Sequence, residues 1–268
     1  MKALLRSRTC LLAAILALGG CVTETTGGFN VEVSQQRAFE DYLALARGYL
    51  EQGDLASSKR HLNNAAAINR NSAELHGIWG LVYAREGEIN LADESFRRSL
   101  RADRTNSLTR NNYAAFLYAN GRFEDAYREL RLVVDDTSYP SRAQAFENLG
   151  LAALRTGRQA EAEAAFTRAL MLNGNLIRSI HELVAISMVK QNISQAEAYF
   201  RNYLTIAQFY NLEHSARALW LGIQLAFARQ DEPTLNEYAQ QLQTRFRGTP
   251  EHQLYLEFLE ARKSLNAN

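Results

Sequence analysis

The sequence predicts an all-α fold: a superhelical solenoid of about six helix-turn-helix repeats closed by a C-terminal capping helix. Three observations carry this. Gly53, Gly87 and Gly121 stand 34 residues apart, Gly157 follows 36 residues on, and Gln191 takes the same place 34 residues later. After each comes the same pattern of small and large apolar residues: Ser58/Leu62/Ala65, Ala92/Phe96/Ser99, Ala126/Leu130/Val133, Ala162/Phe166/Ala169 and Ala196/Phe200/Tyr203. Within every unit the apolar residues fall three or four apart, which places them on one face of a helix. A single such unit cannot bury its apolar face alone, so neighbours must stack.

Each element follows from local chemistry. The glycines mark where a first helix ends, because glycine adopts the left-handed terminal conformation at little cost. Small residues in the first helix (Gly80, Ala114, Gly150) and in the second (Ala92, Ala126, Ala162, Ala196) let the two helices of a hairpin approach closely. Repeats are expected near 39–72, 73–106, 107–142, 143–176 and 177–210, with a degenerate sixth near 215–248 and a capping helix at 251–264. The longer turn before the fourth repeat contains Asp135, Asp136 and Pro140, and the paired acids there are expected to be solvated rather than metal-binding. The 34-residue period with this pattern resembles the tetratricopeptide (TPR) repeat, two antiparallel helices per unit.

Residues 1–20 stand apart. Lys2, Arg6 and Arg8 precede a short apolar run ending in Leu18-Gly19-Gly20-Cys21, the plan of a bacterial secretory signal. The run is shorter than the ~20 apolar residues a transmembrane helix needs. Leu-x-Gly-Cys resembles the lipobox of bacterial lipoproteins, which implies a lipid on Cys21, and Val22 in the next position resembles lipoproteins forwarded to the outer membrane. Cys10 and Cys21 are the only cysteines, so removal of the signal leaves Cys21 alone. Residues 21–35, rich in Thr, Gly, Glu and Ser, read as a lipidated flexible tether, with a reach from Val22 of about 45 Å when extended.

Composition narrows the function. The chain is 47% hydrophobic, enough for a continuous core, and its net charge of +1 offers no electrostatic case for nucleic acid. No phosphate-binding glycine loop, metalloprotease helix or nucleophile elbow is present. His61, His76, His181, His214 and His252 lie in different units without metal-ligand spacing. Neither an enzyme, a metal site nor a cofactor is implied.

A surface for a protein partner remains. The TPR resemblance implies that first-helix positions outside the core line a concave face, and these positions include Leu43, Arg47, Leu50, Ile78, Leu81, Leu108, Asn112 and Asn148. Leu43, Leu50, Ile78 and Leu81 read as an apolar strip spare to the core. Asn112 and Asn148 stand at one repeat position, where an amide can both donate to and accept from a peptide backbone. With the lipobox and tether, Asn111-Asn112-Tyr113-Ala114-x-Phe116-Leu117 followed by Gly121, and the unit from Ala143 to Phe166, resemble the type IV pilus biogenesis and stability lipoproteins (PilF/PilW), the pilotins of the pilus secretin. That resemblance implies an outer-membrane lipoprotein facing the periplasm, which binds secretin subunits and promotes their multimerisation, pilus biogenesis and twitching motility. The alternative is a TPR lipoprotein scaffold for another envelope assembly, such as cell-wall machinery.

Overall fold

The computed structural model describes residues 31–266, and every regular element among them is an α-helix. Six hairpins follow in order: α1 (Val31–Glu51) with α2 (Leu55–Ile68), α3 (Ala73–Glu86) with α4 (Ile89–Ala102), and α5 (Ser107–Ala119) with α6 (Phe123–Asp135). Next come α7 (Arg142–Arg155) with α8 (Gln159–Leu172), α9 (Ile177–Val189) with α10 (Ile193–Phe209), and α11 (Ala216–Ala228) with α12 (Glu232–Arg245). A last helix, α13 (Pro250–Asn266), closes the array. Each first helix packs on its own partner and on the first helix of the next repeat, and α13 packs on α11 where a seventh first helix would lie. The architecture is a TPR-like solenoid.

Local chemistry sets the boundaries. Asp54, Ser72, Asn106, Asn192, Ser215 and Asp231 each cap the helix that follows, their side chains accepting a backbone N–H three residues on. Gly53, Gly87, Gly121 and Gly157 have φ of 82°, 78°, 76° and 76°, the left-handed conformation that ends a helix. In the fifth repeat Gln191 holds that conformation, at φ 57°, without glycine's freedom. The turn before α7 is organised by Asp136, whose carboxylate accepts from the Ser107 hydroxyl (2.6 Å), the Ser138 hydroxyl (2.6 Å) and the Ser138 N–H (2.9 Å). Those bonds hold its carboxyl below the usual range, the one from Ser107 contributing most.

One boundary departs from expectation. Helix α1 starts at Val31 and runs 21 residues, so the last five positions assigned to the tether are helical. No glycine or proline lies between Val31 and Gly48, and Gln36 Nε2 donates to Glu40 one turn on (2.7 Å), so the helix runs unbroken from Val31 into the first repeat. The signal, Cys21 and the rest of the tether lie outside the described residues. Among the described residues no helix is long and apolar enough to cross a membrane.

Candidate protein-docking groove

The first helices of repeats 1 to 3 enclose a cavity of about 570 Å³. Arg47, Leu50 and Glu51 come from α1, Glu74, Gly77, Ile78 and Leu81 from α3, and Leu108, Asn112 and Ala115 from α5. The spacing follows from the fold: residues one or two turns apart on a helix share a face, and three stacked first helices present that face side by side.

The structure brings together Arg47, Leu50, Ile78, Leu81 and Asn112 from among the expected docking residues, but not Leu43 or Asn148. It also corrects the apolar strip. Leu43, Leu50 and Ile78 are 2%, 4% and 4% exposed and belong to one core cluster with Phe39, Leu62 and Leu75. They are buried because α1 stacks on α3, which turns these first-helix positions toward a neighbouring helix instead of solvent. Leu50 and Ile78 form the floor of the groove and hold the first two repeats together. The accessible apolar surface is Leu81, half-buried, and Leu108, 55% exposed. Phe96, Phe116 and Thr109 also line the cavity. Both phenylalanines are buried, at 0% and 7% exposure, and belong to the core of the next repeats.

The polar groups differ in availability. Arg47 pairs with Glu74 across the mouth, both side chains about half exposed. Arg85 Nη1 donates to the Leu50 carbonyl (3.1 Å), tying α3 to the end of α1. The Ser99 hydroxyl donates to the Ala73 carbonyl (2.6 Å) beneath the floor. Asn112 is half-buried and its amide has no partner among the described residues, so it is open to a peptide unit. Asn148 instead donates to Asn111 Oδ1 (3.3 Å) outside the cavity. Among the described residues no group of three or more His, Cys, Asp or Glu side chains could hold a metal ion. His61 stacks on Tyr49 (5.3 Å) and His181 meets Tyr203 edge-on (4.8 Å). The arrangement suits an apolar polypeptide segment held by shape, with one free amide to fix its register.

A tetratricopeptide-repeat family model matches residues 143–176, the fourth hairpin. The type IV pilus assembly protein PilF of Pseudomonas aeruginosa is 35% identical over 250 residues, covering 90% of this chain and 95% of that protein. The chain belongs to the PilF family. A solved structure of P. aeruginosa PilF superposes with a TM-score of 0.77 at 33% identity, over 84% of this chain and 99% of that one. The crystal structure of PilW, described as a widely conserved type IV pilus biogenesis factor, gives a TM-score of 0.69 at 24% identity over 81% and 98%. PilW therefore shares the fold. Both PilF matches span nearly the whole relative.

Proposed function

We propose that this chain is an outer-membrane lipoprotein of type IV pilus assembly, anchored through Cys21 and facing the periplasm. In this reading it binds subunits of the pilus secretin and promotes their localisation and multimerisation, and twitching motility depends on it. Membership in the PilF family supports pilus assembly, and the lipobox ending in Cys21 supports the anchor. The observation that carries the docking step is the groove itself: a recess with accessible Leu81 and Leu108 and the unpartnered amide of Asn112. An apolar recess of this kind is a binding-site hypothesis by default.

The test must spare the floor. Serine at Leu50 and Ile78 would unseat two buried side chains and destabilise the first repeats, at about 2–5 kcal/mol each. Leu81→Glu with Leu108→Glu changes the accessible wall instead. A folded, membrane-associated double variant that no longer supports secretin multimers is the expected result. Full multimers in that variant would rule out the groove as the docking site. Cys21→Ala tests the anchor separately, because the folded protein should then leave the membrane fraction.

A further inference from the structure

A second recess lies on the second-helix side of repeats 2 and 3. It is a cleft of about 470 Å³ lined by Arg97, Arg101, Arg110, Arg122 and Arg128, floored by Leu100 and Leu117. These arginines come from α4, α5 and the start of the third hairpin's second helix, so the cleft exists only once two repeats have stacked. Most are already held by carboxylates. Arg97 Nε and Arg122 Nη1 lie 2.9 and 2.6 Å from the two oxygens of Asp93, Arg122 Nη2 is 2.6 Å from Asp125, Arg128 pairs with Asp125, and Arg110 pairs with Glu129. Tyr113 completes the network, its hydroxyl donating to Asp93 (2.8 Å).

The charges do not balance. Five guanidiniums face Asp93, Asp125 and Glu129, and Arg101 has no acidic partner among the described residues. Arg101 also lines an adjoining recess of about 590 Å³ with Arg70, Arg98, His76 and Trp79. There Arg70 likewise has no acidic partner, and Arg98 pairs only with Glu94 of its own helix (2.6 Å). His76 registers the excess of positive charge: burial lowers its pKa first, and Arg98 and Arg101 lower it further.

We propose that these two recesses form one docking track for an acidic peptide segment of a partner protein, with Arg101 and Arg70 taking its carboxylates. Guanidinium presents a planar fork that matches a carboxylate, and the cleft already uses that geometry with its own acids. Shape favours a polypeptide over a bilayer surface. Arg110 is recessed, with 14% of its side chain exposed, and the half-buried Leu100 and Trp79 offer apolar contact below the rim. A segment alternating acidic and apolar side chains can enter such a track, whereas a layer of headgroups would reach only its edge. The track and the apolar groove are lined by different side chains, so two segments can bind together.

The test uses the signal-free chain and a fluorescent peptide alternating glutamate with leucine. Anisotropy should report saturable binding that weakens as salt rises from about 50 to about 300 mM. Arg70→Glu with Arg101→Glu removes two exposed cations without an intramolecular partner, so helicity should be unchanged while affinity falls about tenfold or more. Leu81→Glu in the groove should leave peptide affinity unaltered. Undiminished affinity in the arginine double variant, equal binding of a lysine-for-glutamate peptide, or no binding by the wild-type chain would each overturn the proposal. So would binding to phosphatidylglycerol vesicles in place of the peptide, which would make the recesses a membrane contact.

Discussion

Gly150 lies so close under Phe166 that a Cβ on it would stand 2.6 Å from the ring. The same relationship joins Gly80 to Phe96, at 2.7 Å, and Gly222 to Tyr238, at 2.6 Å. Each pair lies sixteen residues apart, one partner in each helix of a hairpin. At the same spacing repeats 1 and 3 carry Ala46 with Leu62 and Ala114 with Leu130, all buried to 1% exposure or less. Glycine under an aromatic ring and alanine with leucine are two ways to fill one gap, because volume lost on one helix is supplied by the other.

That exchange can be measured. Gly80→Ala alone should overpack the second hairpin, at about 1–3 kcal/mol before the ~1 kcal/mol that alanine gains in a helix interior. Phe96→Leu alone should leave a cavity. Combined, they rebuild the arrangement of repeat 3, so the double variant should be more stable than the sum of its parts by about 1 kcal/mol. Urea unfolding of the four proteins gives the coupling directly, and strictly additive losses would show that the pair does not share one gap.

The close approach at Gly80, Ala114 and Gly150 was legible in the sequence because it recurs within a hairpin, where helical periodicity fixes which faces meet. The glycine terminators were legible for the same reason. Contacts between hairpins were not. Whether Leu43, Leu50 and Ile78 meet solvent or a neighbouring first helix depends on how repeats stack, and the spacing within one repeat does not specify that angle. The start of α1 at Val31 escaped because its residues have no apolar stripe to mark it. The arginine cleft draws on three helices, so the spacing within one repeat does not mark it.

Gln191 offers a test of the terminator logic. It holds φ 57° where four other repeats place glycine, and its side chain is exposed without a hydrogen bond. Gln191→Gly should relieve left-handed strain and raise stability by about 1 kcal/mol, less glycine's larger entropy when unfolded. For a domain of this size that corresponds to a melting temperature higher by about 2–4 °C. A lower melting temperature would mean that the turn tolerates glutamine without strain.

Glu147 ties the fourth repeat to the fifth. It is 5% exposed, and its Oε2 accepts from the Ser179 N–H (3.0 Å) and hydroxyl (2.8 Å), while Gln144 Nε2 donates to its Oε1 (2.8 Å). Ser179 lies in the first turn of α9, where the helix dipole also favours a negative charge. Glu147→Gln keeps the shape but removes the charge and can turn a donor toward the N–H of Ser179. A loss of about 1–3 kcal/mol in urea unfolding is expected. Wild-type stability in that variant would show that the carboxylate does not carry the junction.

His181 is buried on α9, its Nε2 has no hydrogen-bond partner, and burial, aided by the charge of Arg217, lowers its pKa to about 4. The ring is therefore neutral in the fold at pH 7. In the unfolded chain histidine titrates near 6.5. Above that pH both states are neutral and His181 makes no pH-dependent contribution. As pH falls from about 6.5 toward 4, the unfolded chain takes up a proton that the folded chain refuses, so stability declines through that window. Between pH 7 and pH 5 the expected loss from this one residue is about 2 kcal/mol. Burial also lowers the pKa of His76 and His214, which gives a background slope of the same sign. His181→Phe keeps an aromatic ring against Tyr203 and gives up no hydrogen bond at Nε2. Urea unfolding of both proteins at the two pH values should show the phenylalanine variant losing less stability, by about the stated amount. Equal losses would mean that His181 is protonated in the fold, and that the junction between the fifth and sixth repeats opens to water on acidification.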